Sequence, residues 1–402
     1  MTDELVRRRI WRFVAARALN TFGRAVVNTT VLWELYERTD DKLVLAGVGV
    51  MQVLPVLALF IPVGIIVDRF DRRRLAMVAA LGTGTVGLGL ACASAVAAPV
   101  WVYFALLVGQ GCVSAIHSPA TSALLANIGP REELPRANRL LSSVSETAQI
   151  SAPAFAGLAL VLVAPQYVYA IVGATAVISS LCYRSLPTPP RREASSADWR
   201  EGFRFVFRSP LLLSALTLDM FAILFAGVVA LLPAIATDLL DAGPLEYGIL
   251  RACQPAGAVA MAIAGGRFPA WNQPGRVLLV VVALYGVATV GIGLSTWLPL
   301  TGLLLFACGG LDNISVVIRL SMEQLLVPDV VRGRVAAVQN VFIGMSNELG
   351  AAESGVAAHF LGTEPAIVAG GLAAIGVVFV VGLRWPALVR MPPLAELREL
   401  ER

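Results

Sequence analysis

Residues 64–74 read Gly64-Ile65-Ile66-Val67-Asp68-Arg69-Phe70-Asp71-Arg72-Arg73-Arg74. Six of these eleven residues are charged, yet apolar runs flank them on both sides, 44–67 before and 75–97 after. A membrane-crossing helix needs about 20 mostly apolar residues. Two such runs joined by so short a charged stretch read as two membrane helices turning at one membrane surface.

Working outward, the same pattern repeats along all 402 residues. Apolar runs fall at 13–36, 44–67, 75–97, 101–127, 138–163, 167–186, 211–236, 245–265, 277–296, 299–322, 335–360 and 365–388. The runs are continuous, without the period-two alternation of barrel strands, so helices are expected. The chain is 57% hydrophobic and 14% charged, against roughly 25% charged in soluble domains. Its net charge of +4 does not point to nucleic acid, because the basic residues sit in short clusters between apolar runs. Cys92, Cys112, Cys182, Cys253 and Cys308 all lie inside those runs and lack metal-ligand spacing. No metal and no cofactor are expected.

The basic residues also set an orientation. With the N-terminus inside, 25 of the 31 fall on the cytoplasmic side, and only Arg38 and Lys42 fall outside. Arg17, Arg24, Arg251 and Arg319 lie within spans. Such an asymmetry is the positive-inside signal, and it places both termini in the cytoplasm. The longest polar stretch, 187–208, is proline-rich and then basic and amphipathic. It reads as a cytoplasmic linker between a six-helix bundle at 1–186 and another at 209–402. A shift of 198 residues superposes Arg69 on Arg267, Gly111 on Gly309, Pro130 on Pro328, Arg136 on Arg334 and Gly157 on Gly355. Two parallel six-helix repeats would give such matches.

The stretch at 64–74 resembles the signature loop of the major facilitator superfamily, G-x-x-x-D-R-x-x-R-R. Pro130–Asn138, Pro328–Val335 and Gly202–Pro210 are similar to the enterobactin-exporter-like, drug–proton antiporter branch of that family. The resemblance implies an all-α fold of twelve transmembrane helices in two pseudo-repeats. It also implies a multi-pass protein of the inner (plasma) membrane that exports a siderophore, drug or other secondary metabolite. Export would be by alternating access with proton antiport, and an importer or uniporter on the same fold is the alternative. The partners expected are a small-molecule substrate, protons and the lipid bilayer, with no nucleic acid, and the protein is expected to be a monomer. Two features depart from the family. Leu107 stands where an arginine often precedes the Gln110-Gly111 pair. Residues 152–157 read Ala-Pro-Ala-Phe-Ala-Gly in place of G-P-x-x-G-G, which suits plain helix packing as well as an antiporter role.

In the signature loop, Gly64 permits close helix approach. Asp68 at a helix end can pair with an arginine or with a positive helix N-terminus. A gating role for Gly64, Asp68, Arg69, Arg72 and Arg73 competes with a basic loop that merely obeys charge topology. Charged residues within spans are costly and face a cavity or a partner. In a major facilitator fold, spans 1, 4, 7 and 10 line the central cavity. The resemblance therefore assigns Arg24, Asn28, His117, Asn313 and Arg319 to a substrate cavity. The competing reading is a set of structural ion pairs and interhelical hydrogen bonds, His117 included. Phe22, Phe221 and Phe225 suit an amphipathic cargo or a lipid-facing surface equally.

For proton coupling the candidates rank Asp312, Glu348 and Asp219. Asp312, Ser315 and Arg319 share one helix face at i, i+3 and i+7. Glu348 has depth but no basic residue in its own span. Asp219 lies nearer the cytoplasmic end. Glu34 and Glu323 sit near span ends, where they are expected to reach water. His359, at the outer end of its span, is expected at the interface. No catalytic constellation and no phosphate-binding loop occur, so an enzyme is not expected.

Overall fold

The structure is a computed structural model. It describes residues 3–125, 128, 130–187, 199–265, 271–393 and 396. The side chains of Gly64 and Asp68, most of the 187–198 stretch, and Arg267, Arg398 and Arg402 lie outside the described residues. Among the described residues there is no strand. The long helices are α1 (Asp3–Thr39), α2 (Lys42–Arg69), α3 (Arg72–Ala95), α4 (Val100–Leu125), α5 (Leu134–Leu162) and α6 (Pro165–Arg184). After the short α7 (Trp199–Arg208) come α8 (Pro210–Ala226), a turn of 3-10 helix at Val228–Leu231, α9 (Leu232–Ala234) and a π-turn at Ile235–Leu239. Then follow α10 (Pro244–Gly265), α11 (Pro274–Leu294), α12 (Leu298–Leu326), α13 (Asp329–Leu361), α14 (Thr363–Arg384) and the short α15 (Pro386–Val389).

Eight of these elements are long and apolar enough to cross a membrane by length and composition. Helices α1, α5, α10 and α13 are not among them, and they carry charged residues such as Arg17, Arg24 and Glu34 of α1 and Arg251 of α10. In lipid such helices must turn those residues toward protein or water.

The turns obey local chemistry. Asp40 ends α1 with φ 49°, and Gly362 separates α13 from α14 with φ 95°. The Asp41 carboxylate accepts from the Leu43 amide at 2.9 Å, opening α2. The Asp71 carboxylate accepts from the amides of Arg73 and Arg74, opening α3. Both use an acid at a helix start, where free N–H groups and the helix dipole favour an acceptor.

The chain groups into two compact units. Unit 1 comprises residues 1–40, 47–196 and 243–252, and unit 2 comprises 41–46, 197–242 and 253–402. In unit 1, α1 packs on α5 and α6, and α3 packs on α4 and α6. In unit 2, α8 packs on α13 and α14, and α11 packs on α12 and α14. These are the same four pairings in the same order.

Glycine crossings repeat as well. In unit 1, a Cβ at Gly111 of α4 would lie 2.6 Å from the Gln52 carbonyl of α2. In unit 2, a Cβ at Gly309 of α12 would run into the Gln254 carbonyl of α10. Gly157 of α5 abuts Pro244 and Gly248 in unit 1, and Gly355 of α13 abuts Lys42 and Ala46 in unit 2. The 198-residue repeat is therefore physical: matched glycines let matched helices touch backbone to backbone.

Helix α7 packs on unit 2 through its apolar face. Val206 is fully buried there in a cluster with Leu212, Val335, Leu388 and Met391. Glu201 pairs with Arg334 of α13, while Arg204, Phe207 and Arg208 stay exposed.

Candidate coupling and substrate residues

In unit 2 the innermost charges meet across two helices. Arg319 of α12 donates to Asp219 of α8 at 2.5 Å, and these residues are only 4% and 5% exposed. Asp312 lies about two turns before Arg319 on α12 and is partly buried. It is near enough for its charge to act on Asp219 and to feel Arg319. Arg319 thus acts on Asp312 by charge along their shared helix face, while its hydrogen bond goes to Asp219. Along α12 the two residues are about 10 Å apart at 1.5 Å per residue, whereas α8 brings Asp219 directly alongside.

Two further groups in this cluster lack hydrogen-bond partners in the structure, the Arg319 Nε and the hydroxyl of Ser315. An unpaired buried polar atom costs about 1–3 kcal/mol. The site therefore has donors to spare for a second arrangement. Glu323, expected at water, is instead buried and lines a small pocket with Arg319, Met322 and Gln339. Asn313 and Glu348 are partly buried on α12 and α13.

In unit 1 the polar side chains form short links between helices. Arg17 donates to the Thr121 hydroxyl. Asn20 donates to the Thr83 hydroxyl at 3.3 Å, and Gln52 donates to the Asn28 side-chain oxygen at 3.3 Å. His117 is buried, with its Nε2 at 3.2 Å from the Tyr183 hydroxyl on α6. Arg24 is partly buried on α1. The Gln110 amide is buried without a partner at either end. Phe22 packs on Phe155 of α5 at 5.5 Å, and Phe221 stacks on Phe225 within α8 at 6.2 Å.

Glu34, also expected at water, is buried. Its carboxylate accepts from the hydroxyls of Ser94 at 2.7 Å, Tyr103 at 2.8 Å and Tyr169 at 2.8 Å. Arg38 stands 3.6 Å away. Three hydroxyl donors and a guanidinium satisfy a buried carboxylate. They tie α1 to α3, α4 and α6. Sequence reading missed this cage because its members lie up to 135 residues apart, and no spacing rule connects them.

In the signature loop, Arg73 donates to the carbonyl oxygens of Leu186 at 2.8 Å and Arg184 at 3.3 Å. A cation at the C-terminal end of α6 is favoured by the exposed carbonyls there. Arg69 is exposed, and Arg72 is partly buried. His359 does lie exposed near the end of α13, with Nδ1 at 3.0 Å from Asp41. Beside it Lys42 pairs with Asp238 at 3.0 Å, and Asp238 accepts from the Thr363 hydroxyl at 2.7 Å.

Long apolar helices in two repeated groups, with the buried charges of Asp219, Arg319 and Glu34 held in a pair and a cage between helices, define a multi-pass membrane protein. The chain belongs to the Major Facilitator Superfamily, which residues 13–351 match. It is 23% identical over 371 residues to macrolide efflux protein A of Streptococcus pyogenes, covering 88% of this chain and 90% of the relative. It is 27% identical over 333 residues to the enterobactin exporter EntS of Shigella dysenteriae serotype 1, covering 80% and 78%. In fold it is similar to a bacterial homologue of the human lysosomal transporter Spinster in an inward-facing, occupied conformation. There the TM-score is 0.76 at 14% identity, covering 97% of this chain and 99% of the other. The chain is thus a transporter-family protein of the cell membrane.

Proposed function

We propose that this protein is a proton-driven exporter of a small molecule such as a siderophore, drug or other secondary metabolite. Its two six-helix halves, 1–186 and 209–402 joined by the cytoplasmic linker 187–208, alternate access to a substrate site. It works as a monomer and catalyses no covalent chemistry.

The observation that carries the reading is the buried cluster of Asp219, Asp312 and Arg319. Two carboxylates compete for one guanidinium, so with Arg319 on Asp219 the other acid lacks its counter-charge and is the place for a proton. If Arg319 moves to Asp312, the requirement passes to Asp219. A proton taken up on one side of the membrane thereby biases a two-state element. Glu348 of α13 is a second carboxylate for the same task. Arg24, Asn28, His117 and Asn313 contact the cargo, and Gly64, Asp68, Arg69, Arg72 and Arg73 gate. The names of the efflux relatives support export over import.

The test is efflux of a substrate panel from cells lacking their own pumps, with and without a protonophore. Proteoliposomes under an imposed pH gradient then give direction. Protonophore-sensitive extrusion is expected. Uptake down the proton gradient, or transport indifferent to it, would replace the reading with an importer or a uniporter.

A further inference from the structure

Helix α7 ends at the edge of a membrane span. Only Ser209 separates its last residue, Arg208, from Pro210. There the stretch Pro210–Leu239 begins, long and apolar enough to cross a membrane. The inner side of α7 is anchored to unit 2. Val206 is fully buried, and a Cβ at Gly202 would lie 2.7 Å from the Arg334 carbonyl oxygen of α13. The helix is therefore held at the boundary of water and lipid, with one face against protein.

At 3.6 residues per turn, the arc turned away from Val206 carries Glu201, Arg204, Phe207 and Arg208. Glu201 is bound to Arg334. Arg204 and Arg208 are exposed one turn apart, a spacing at which like charges repel. Among the described residues neither is in an ion pair. Phe207 is 58% exposed, its ring stacked on that of Phe203 at 6.5 Å. Charge topology accounts for basic residues here. It does not account for a phenylalanine set open beside them, because exposed apolar surface is unfavourable in water.

The same end of unit 2 is basic around α7. Leu388 and Met391 share the cluster of Val206, and a Cβ at Gly275 of α11 would run into the Leu388 carbonyl. The arginines flanking these contacts, Arg276, Arg384 and Arg390, are exposed, and Arg384 lies over the Trp385 ring at 5.6 Å. Of the other acids whose side chains are described at this end, Glu323 is buried and Glu396 is exposed. A basic, partly aromatic surface beside a span fits an anionic, amphiphilic partner, and the headgroup layer of a bilayer is one.

We propose that the outer arc of α7, together with the exposed arginines at the same end of unit 2, is a binding surface for anionic phospholipid headgroups of the adjoining leaflet. Arg204 and Arg208 take the phosphates, and the Phe207 ring enters the acyl boundary beside them. On the topology proposed above, that leaflet is the cytoplasmic one.

The experiment follows thermal unfolding of the purified full chain in mixed micelles titrated with phosphatidylglycerol or with phosphatidylcholine. Phosphatidylglycerol raises the wild-type melting temperature well above what phosphatidylcholine does, and high salt removes the difference. Arg204→Gln/Arg208→Gln weakens the apparent affinity for phosphatidylglycerol about tenfold. Phe207→Ser, which keeps both charges, weakens it several-fold. Arg7→Gln/Arg74→Gln, which removes two exposed charges of unit 1, responds as wild type does. The surface is overturned if the two lipids act alike or if either α7 variant responds as wild type does. It is equally overturned if the unit 1 variant loses as much, which would make the effect one of total charge, or if inorganic phosphate reproduces the stabilisation. Transport is not read here, so this surface and proton-driven export fail separately.

Discussion

At the scale of the residue, the Asp219–Arg319 pair makes the sharpest prediction. Removing one partner of a buried pair leaves an uncompensated charge, at a cost of about 3–5 kcal/mol. Arg319→Gln should therefore lower the melting temperature strongly, while the double variant Asp219→Asn/Arg319→Gln recovers most of the loss. Equal melting of the two variants would mean that the pair is not formed. Coupling is a separate matter. Asp312→Asn and Glu348→Gln should each impair uphill, pH-driven export while sparing substrate binding or exchange. Protonophore-sensitive concentration of substrate by both single variants and their double would remove these acids from the proton path. In the signature loop, Asp68→Asn should cut turnover sharply with binding to the purified protein preserved. A normal transport rate would leave Asp68 as a solvated loop residue.

Elements carry their own test. Gly309 has the Gln254 carbonyl where a Cβ would go, whereas Gly333 of α13 has open space. Overpacking costs typically about 1–3 kcal/mol, and alanine is favoured over glycine within a helix by up to about 1 kcal/mol. Gly309→Ala should lower the melting temperature, and Gly333→Ala should leave it unchanged or raise it. The helices themselves were legible, because a run of some twenty apolar residues has few ways to exist in lipid. The matched glycines at a 198-residue shift were legible for the same reason: close crossings of membrane helices need small residues. The interruption of α8 was not. Gly227 and Pro233 sit in residues 220–236, which carry no polar side chain, and neither residue alone fixes where a helix breaks.

For the whole molecule, the charge asymmetry predicts both termini and residues 187–208 on the cytoplasmic side. Single cysteines placed there on a cysteine-free background should resist an impermeant thiol reagent in intact cells and react after lysis. Labelling of the linker from outside would reverse the topology. The sequence by itself determined the class, the helical repeat and the motif that names the family. Those features follow from composition and short-range spacing, which lipid reads residue by residue. Only the tertiary structure decided which charges meet. Arg319 chose Asp219, 100 residues away, over Asp312 on its own helix. Glu34 found three hydroxyls on three other helices and not water. The reason is geometric: along one helix, partners beyond about i+4 drift out of hydrogen-bond reach, while helices packed 8–10 Å apart bring distant residues into contact. A buried charge then takes the partner that packing supplies.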